Sequence, residues 1–429
     1  MTNSMNRVAD VKGDALKQGE TFPLAPLFLV RIISTLADYS LIYFVPMFVF
    51  KHTQSVTGTG LSYLFEWLPR VLLFPLVGAL IDRFTSKRII VCADFCRMMV
   101  VFLALLLLNV FGSSGPSVSV PVLVGVASLA SLFGSHSFLG AETLMPKYLS
   151  GRKLTSAQSL MEGGNVFAMC MGPFVAGMAF KYLNTQTVLA VLAGVYGISF
   201  LLSSQAILSP ASRDLSSKGL GWVRDLWRSD FGFGRIFSDL KLTGLCLLGF
   251  ACNFLFGTVM ALGPALCKER FGKDESAFGV IGSSLGLVSL AALVLLPFIR
   301  KRLTIEQIYK ISIFFVISCF SMLPFVKHFQ TFSFLLALAT AGIVVLNIFV
   351  RTKRAEWIDS KILGKVTGAC LACVQFSLPL AGSVVALLGS HYAVDAVQMV
   401  SATVGLVTVV IAVLILRKSM GPLVPNAET

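Results

Sequence analysis

Charge is scarce in this chain. Only 13% of its 429 residues are Asp, Glu, Lys or Arg, and only four are His. Soluble domains carry about 25% charged residues, so an ordinary water-facing surface is excluded. Nine cysteines sit in apolar runs or at their ends, and no connecting loop holds a pair of them. A disulfide framework is therefore not expected. No Gly-x-x-x-x-Gly-Lys-Ser/Thr loop occurs, which excludes an ATP-driven pump built from this chain alone. No zinc-ligand spacing, nucleophile motif or acid–histidine cluster at a membrane surface is visible, so neither an enzyme nor a cofactor is expected. Residues 1–26 are polar and lack an apolar h-region, so no cleavable signal peptide is expected.

What is abundant is apolar. Hydrophobic residues make up 56% of the chain. They gather in twelve runs: 27–50, 58–81, 89–111, 118–145, 155–180, 187–208, 242–266, 277–299, 308–326, 332–350, 366–388 and 393–416. Each has roughly the 20 residues that an α-helix needs to cross ~30 Å of hydrocarbon. Lipid offers backbone amides no water, so spanning segments are helices or closed barrels. Continuous runs, rather than ten-residue alternation, select helices. The fold class expected is an all-α polytopic membrane protein of twelve helices, numbered here helix 1 to helix 12.

The net charge of +14 suggests nucleic acid, but its placement does not. With the N-terminus inside, the cytoplasmic pieces hold 25 Lys/Arg. The outer loops hold six: Lys51, Lys181, Lys268, Arg270, Lys273 and Lys327. This asymmetry follows the positive-inside rule and puts both termini in the cytoplasm. The expected organisation is a tail over 1–26, a six-helix bundle over 27–208, a linker over 209–241, a second bundle over 242–416 and a tail over 417–429. Within the linker, Trp222, Leu226, Trp227, Phe231, Ile236, Phe237 and Leu240 alternate helically with Arg224, Asp225, Arg228 and Asp239. That pattern predicts an amphipathic helix on the inner leaflet.

Ionisable groups inside membrane helices cost about 2.5–3.5 kcal/mol each on insertion scales. They rank first as functional candidates. Helix 1 carries Arg31 and Asp38 on one face; Arg31, near the inner end, can snorkel, but Asp38, near mid-membrane, cannot. Helix 2 carries Glu66 and Arg70, four apart and so within pairing reach. Asp38 is the first candidate for proton coupling or for a cationic part of the substrate, with Arg31 and Arg70 as its expected partners. Glu66 is the second. Glu162 and Asn165 of helix 5, with Glu142 and His136 of helix 4, are third. Asp94 and Arg97 of helix 3 read as a structural pair, and Lys310 and Asp395 as solvated. Cys246, Cys252, Cys370 and Cys373 lie in helices 7 and 11 with no His beside them, and are read as packing rather than as a metal site.

Two six-helix halves and a cytoplasmic linker resemble the major facilitator superfamily. The stretch between helices 2 and 3, Gly78-Ala-Leu-Ile-Asp82-Arg83-Phe-Thr-Ser-Lys87-Arg88, resembles its loop signature; Thr85 and Ser86 replace a usual glycine and arginine. Asp82 there can accept hydrogen bonds from a helix N-terminus of the other half, where the macrodipole is positive. Other pieces look like the drug and siderophore exporter branch that includes the enterobactin exporter. They are Glu142-Thr-Leu-Met-Pro146, Leu154-Thr-Ser-Ala-Gln158, Met171-Gly-Pro-Phe-Val-Ala-Gly177, Ser199-Phe200, Trp222-Val-Arg-Asp225 and Ala277-Phe-Gly-Val-Ile281. The helix 4 arginine of many proton-coupled drug exporters has no counterpart.

The resemblance implies a central cavity lined by helices 1, 4, 7 and 10. It points to Tyr39, Tyr43, His136, Asn253, Phe256 and Asn347 as lining residues. It also implies Gly78, Asp82, Arg83, Lys87 and Arg88 as a gating motif. The function expected is alternating-access, proton-coupled export of a siderophore or amphipathic drug-like molecule across the bacterial cytoplasmic membrane. The expected partners are that substrate, protons and the lipid bilayer, the chain working as a monomer without nucleic acid. Import of a siderophore or small metabolite, a ferroportin-like export of divalent metal, and a membrane receptor or assembly role are the alternatives.

Overall fold

The computed structural model describes residues 24–83, 86–110, 115–148, 151–207, 233–358 and 363–420. Each of the twelve apolar runs is mainly helical over its described residues. α1 spans Leu24–Thr53, α2 Val56–Arg83, α3 Ser86–Val110, α4 Gly115–Tyr148, α5 Gly151–Tyr182 and α6 Thr185–Ile207. α7 spans Leu240–Ala265, α8 Ala277–Ile299, α9 Ile305–Met322, α10 Phe329–Trp357 and α12 Val394–Met420. α11 comes in two pieces, Leu363–Gln375 and Ser377–Gly389. There is no strand among the described residues. Eleven of these helices hold stretches long and apolar enough to cross a bilayer. In α2 the side chains of 74–83 lie outside the described residues.

Local sequence explains several helix ends. Asp239 caps α7, its side chain accepting from Lys241 N at 2.9 Å. Thr304 and Gln307 form a reciprocal capping box that opens α9, satisfying two amides that would otherwise lack partners. α7 runs on through a π-helical turn, Leu266–Arg270. Of the predicted linker helix, residues 209–232 lie outside the described residues. A short helix, Phe233–Ser238, buries Ile236 and exposes Phe237.

Helices alternate in direction. One face therefore gathers the start of α1 and the end of α12, and is called here the terminal face. α1 packs on α4, α5 and α6, and α3 on α4 and α6, giving one bundle. α7 packs on α11 and α12, α9 on α10 and α12, and α8 on α10, giving the second. α7 is the most enclosed of the membrane spans. Large apolar side chains such as Leu103, Phe298, Phe314 and Leu387 point outward, where lipid removes the cost they would have in water.

The most extensive contacts between the bundles are α2 on α11 and α5 on α8. Both rest on glycine. A Cβ built on Gly60 would lie 2.5 Å from Ala386 N, and one on Gly382 2.6 Å from Leu64 N. A Cβ on Gly279 would lie 2.4 Å from the Pro173 carbonyl oxygen. Backbones this close are possible only without side chains. Gly60 is early in α2 and Gly279 early in α8, so both contacts lie toward the face opposite the termini.

Candidate functional site

Three groups of polar residues stand out within the membrane-spanning part. The first is a buried ionic network inside the first bundle. Arg97 of α3 is fully buried and donates through Nη1 to both carboxylate oxygens of Asp38, at 3.0 and 2.9 Å. Its Nη2 pairs with Asp94, one turn back on the same helix. Tyr196 OH of α6 donates to Asp38 at 2.7 Å, and its ring lies under the guanidinium at 4.9 Å. Ser199 and Ser137 each donate to Asp94 at 3.0 Å. Arg31 Nη1 in turn donates to Ser137 at 3.0 Å. Gly134 makes room for the pair, since a Cβ there would sit 3.0 Å from Asp38 Oδ2.

The partners expected for Asp38 are thus corrected. Arg97 holds it, while Arg31 reaches Ser137 instead. The physical reason is depth. At ~1.5 Å per residue, Asp38 and Arg97 lie at similar heights above the terminal face, while Arg31 lies about 10 Å lower than Asp38.

The second group is on α2. Glu66 is 1% exposed, and both its carboxylate oxygens lack a hydrogen-bond partner. The expected Glu66–Arg70 ion pair does not form. Arg70 instead stacks over the Trp67 ring at 4.9 Å, within electrostatic range of Tyr39, Asp38 and Glu66. The side chains rise from one helix face, but the ring draws the guanidinium aside by cation–π attraction. Tyr63, one turn before Glu66, meets Gly257 of α7 beside Leu378 and Ala381 of α11. Glu66 therefore lies close to where the bundles touch, about 15 Å from the opposite end of α2.

The third group is a cavity of about 590 Å³ between the bundles, in the half nearer the terminal face. From α5 come Met161, Glu162, Asn165 and Met169, and from α10 Asn347 and Arg351. Phe138 of α4 and Leu293 of α8 complete the apolar wall. One acid and one guanidinium share this lining with amides, thioethers and one phenyl ring. Such a lining suits an amphipathic molecule whose polar groups are few and spaced.

Glu162 and Asn347, predicted from sequence, line this cavity. The other predicted lining residues lie elsewhere. Tyr43 donates to Met260 Sδ at 3.5 Å and packs its ring 4.8 Å from Phe278, in the closed half. Tyr39 fills the space beside Gly172. His136 Nδ1 is 2.8 Å from the Leu132 carbonyl oxygen, one turn back on its own helix. Asn253 and Phe256 are half-buried on α7. Of the gating motif, Arg88 is exposed, and the side chains of Gly78, Asp82, Arg83 and Lys87 lie outside the described residues, as does that of Glu142.

On the opposite face, outside the spans, Asp274 is held below the ordinary carboxylate range. The Ser276 side chain and amide donate to it, and Lys51 and Lys268 add positive charge. Lys51 ends α1, so this attraction crosses between bundles. Among the described residues no group of three or more His, Cys, Asp or Glu could hold a metal ion.

Two six-helix bundles meeting at paired helices around a central cavity define a membrane transporter fold rather than an enzyme. Residues 27–352 match the Major Facilitator Superfamily, and the chain belongs to that family. It is 21% identical over 377 residues to the multidrug efflux pump Tap of Mycolicibacterium fortuitum, covering 85% of this chain and 89% of that one. It is 22% identical over 399 residues to Tap of Mycobacterium tuberculosis, covering 90% and 93%. Its fold is similar to the nucleoside transporter NupG, with TM-score 0.70, 13% identity, and 92% and 99% of the chains covered. It is also similar to a bacterial homologue of the iron transporter ferroportin in an inward-facing state, with TM-score 0.67, 16% identity, and 91% and 98% covered. The chain is a multi-pass membrane transport protein.

Proposed function

We propose that this chain exports an amphipathic, drug-like small molecule across the bacterial cytoplasmic membrane by alternating access, driven by protons. The observation that carries the reading is the cavity of about 590 Å³ with Glu162 and Arg351 amid apolar walls. The efflux function named for the similar Tap proteins favours export and a drug-like cargo over a siderophore or an imported metabolite. With both termini cytoplasmic, the terminal face is the inner one. The glycine contacts then close the outer half, and the arrangement is inward-facing.

Glu66 is the proton carrier in this reading. Asp38 is occupied by Arg97 and Tyr196, whereas the Glu66 carboxyl has no partner. A lone buried carboxylate is costly, so closure of the bundles around Glu66 favours its neutral form. Opening and wetting favour the charged form. Proton uptake and release would thus follow the conformational cycle.

The test is uptake of a lipophilic fluorescent cation by everted membrane vesicles under an imposed inward-acid gradient. Accumulation that collapses with a protonophore is expected. Accumulation unaffected by the protonophore would remove proton coupling. No accumulation of cationic, neutral or anionic amphiphiles, with the protein present in the membrane, would remove the export reading.

A further inference from the structure

On the terminal face, apart from the inter-bundle cavity, α7, α9 and α10 enclose a pocket of about 170 Å³. Its floor is aromatic. Tyr309 and Phe349 stack with centroids 4.2 Å apart and planes at 24°, and both are buried. Trp357, the last residue of α10, forms a wall. The rim is basic, with Lys241 from α7, Lys310 from α9 and Lys353 from α10, together with Glu306. Lys241 Nζ lies 5.7 Å from the Trp357 ring, and Lys353 Nζ lies 2.8 Å from Glu356 Oε2.

The caps described above fix the first turns of α7 and α9, so Lys241 and Glu306 are placed before any ligand arrives. Three ammonium groups crowd one small mouth and repel one another. Counting Glu306 and Glu356 against Lys241, Lys310 and Lys353 leaves a balance of one positive charge. That balance complements a single phosphodiester.

The pocket lies where the lipid-facing surface begins. Phe237 and Leu240, just ahead of Lys241, are 71% and 60% exposed. Phe314, one turn deeper than Lys310 on α9, is 66% exposed. Outward apolar side chains at a helix start mark the membrane interface. A molecule seated by its phosphate among the lysines could lay an apolar tail along Ile311 and Phe314. Free phosphate would use the lysines but neither the aromatic floor nor the α9 surface.

We propose that this pocket binds the phosphate headgroup of an anionic membrane phospholipid, with its acyl chains running down the outward face of α9. The site depends on the membrane fold alone, not on the transport direction, cargo or coupling ion.

Native mass spectrometry of the full chain, in micelles doped with phosphatidylglycerol or phosphatidylcholine, tests it. Preferential retention of one phosphatidylglycerol is expected. Lys310→Gln changes an exposed side chain and should weaken retention about fivefold, the effect of one interfacial cation. The triple Lys241→Gln, Lys310→Gln, Lys353→Gln variant should lose the preference, while Arg300→Gln, basic but outside the pocket, should keep it. Thermal unfolding of each variant in the undoped micelle reports its folding. Equal retention by wild type and the Lys310→Gln variant would overturn the proposal, as would retention of phosphatidylglycerol no greater than that of phosphatidylcholine. Inorganic phosphate should not raise the melting temperature, and a rise equal to that from phosphatidylglycerol would also overturn it.

Discussion

Asp38, half-buried, and Glu66, buried, show how two carboxylates of similar depth come to differ. Asp38 shares Arg97 with Asp94 and also accepts from Tyr196, so its oxygens have partners. Removing one side of such a buried network costs about 3–5 kcal/mol because a charge is left alone. Arg97→Gln is expected to destabilise by that amount, since it strands two carboxylates. Asp38→Asn should cost less, about 1–3 kcal/mol, because the amide still bonds Tyr196 and Arg97 keeps Asp94. Thermal unfolding in detergent ranks the two, and the reverse order would show that Arg97 is not the hub. Arg70→Gln should not rescue Asp38→Asn. At Glu66 the expectation is opposite in kind. Glu66→Gln should fold with near wild-type stability, having no ion pair to lose, yet lose gradient-driven transport while keeping substrate exchange. Normal gradient-driven transport by Glu66→Gln would end its role as proton carrier.

Among the elements, the pairs α2–α11 and α5–α8 decide which half of the molecule is closed. Gly60 and Gly382 allow α2 and α11 to touch by backbone, and Thr57 Oγ1 donates across to the Ala386 carbonyl at 3.1 Å. Gly60→Ala adds a methyl at a 2.5 Å approach, far inside van der Waals contact at ~3.5–4.0 Å. The closed half should therefore open. Spin labels at Gln54 and Ser390, both exposed, should report a longer distance in Gly60→Ala than in wild type. An unchanged distance would mean that the seal lies elsewhere. Asp274 adds a pH-sensitive element to the same face. Its folded value is depressed, so its contribution is present above the ordinary carboxylate range and is lost as pH falls through the depressed value. The Lys51 side of the seal should weaken only under that acid condition, and the same labels in wild type would read it. At the other face, Asp82→Asn is expected to leave the protein inserted but to slow transport, if the Gly78–Arg88 stretch latches the halves in the outward-facing state. Full transport at equal expression would reduce the motif to a basic loop.

For the whole molecule, charge asymmetry across the twelve helices implies that residues 1–26, 209–241 and 417–429 share the cytoplasmic side. Cysteine accessibility in intact cells checks this: probes that cannot cross the membrane should leave these segments unlabelled. Labelling of either tail from outside would overturn the orientation, and with it the inward-facing assignment of the cavity.

The helical class and the approximate place of every spanning run follow from the sequence itself. A bilayer leaves backbone amides one solution, and twenty apolar residues declare it locally. Glu162 stands out because an ionisable group in an apolar run is costly, and Asn347 because the family resemblance puts helix 10 at a cavity; both line the one observed. The partner of Asp38 could not be read, because Arg97 is 59 positions away and meets it only once α4 and α6 hold α1 and α3 at matched depth. Nor could the loneliness of Glu66. Its spacing to Arg70 permits an ion pair, and only the Trp67 ring beside the guanidinium removes it. The three-lysine pocket likewise assembles from three helices, α7, α9 and α10, that bring Lys241, Lys310 and Lys353 together. Helix formation is a property of each segment against lipid, whereas charge pairing and cavity shape depend on which helix faces meet.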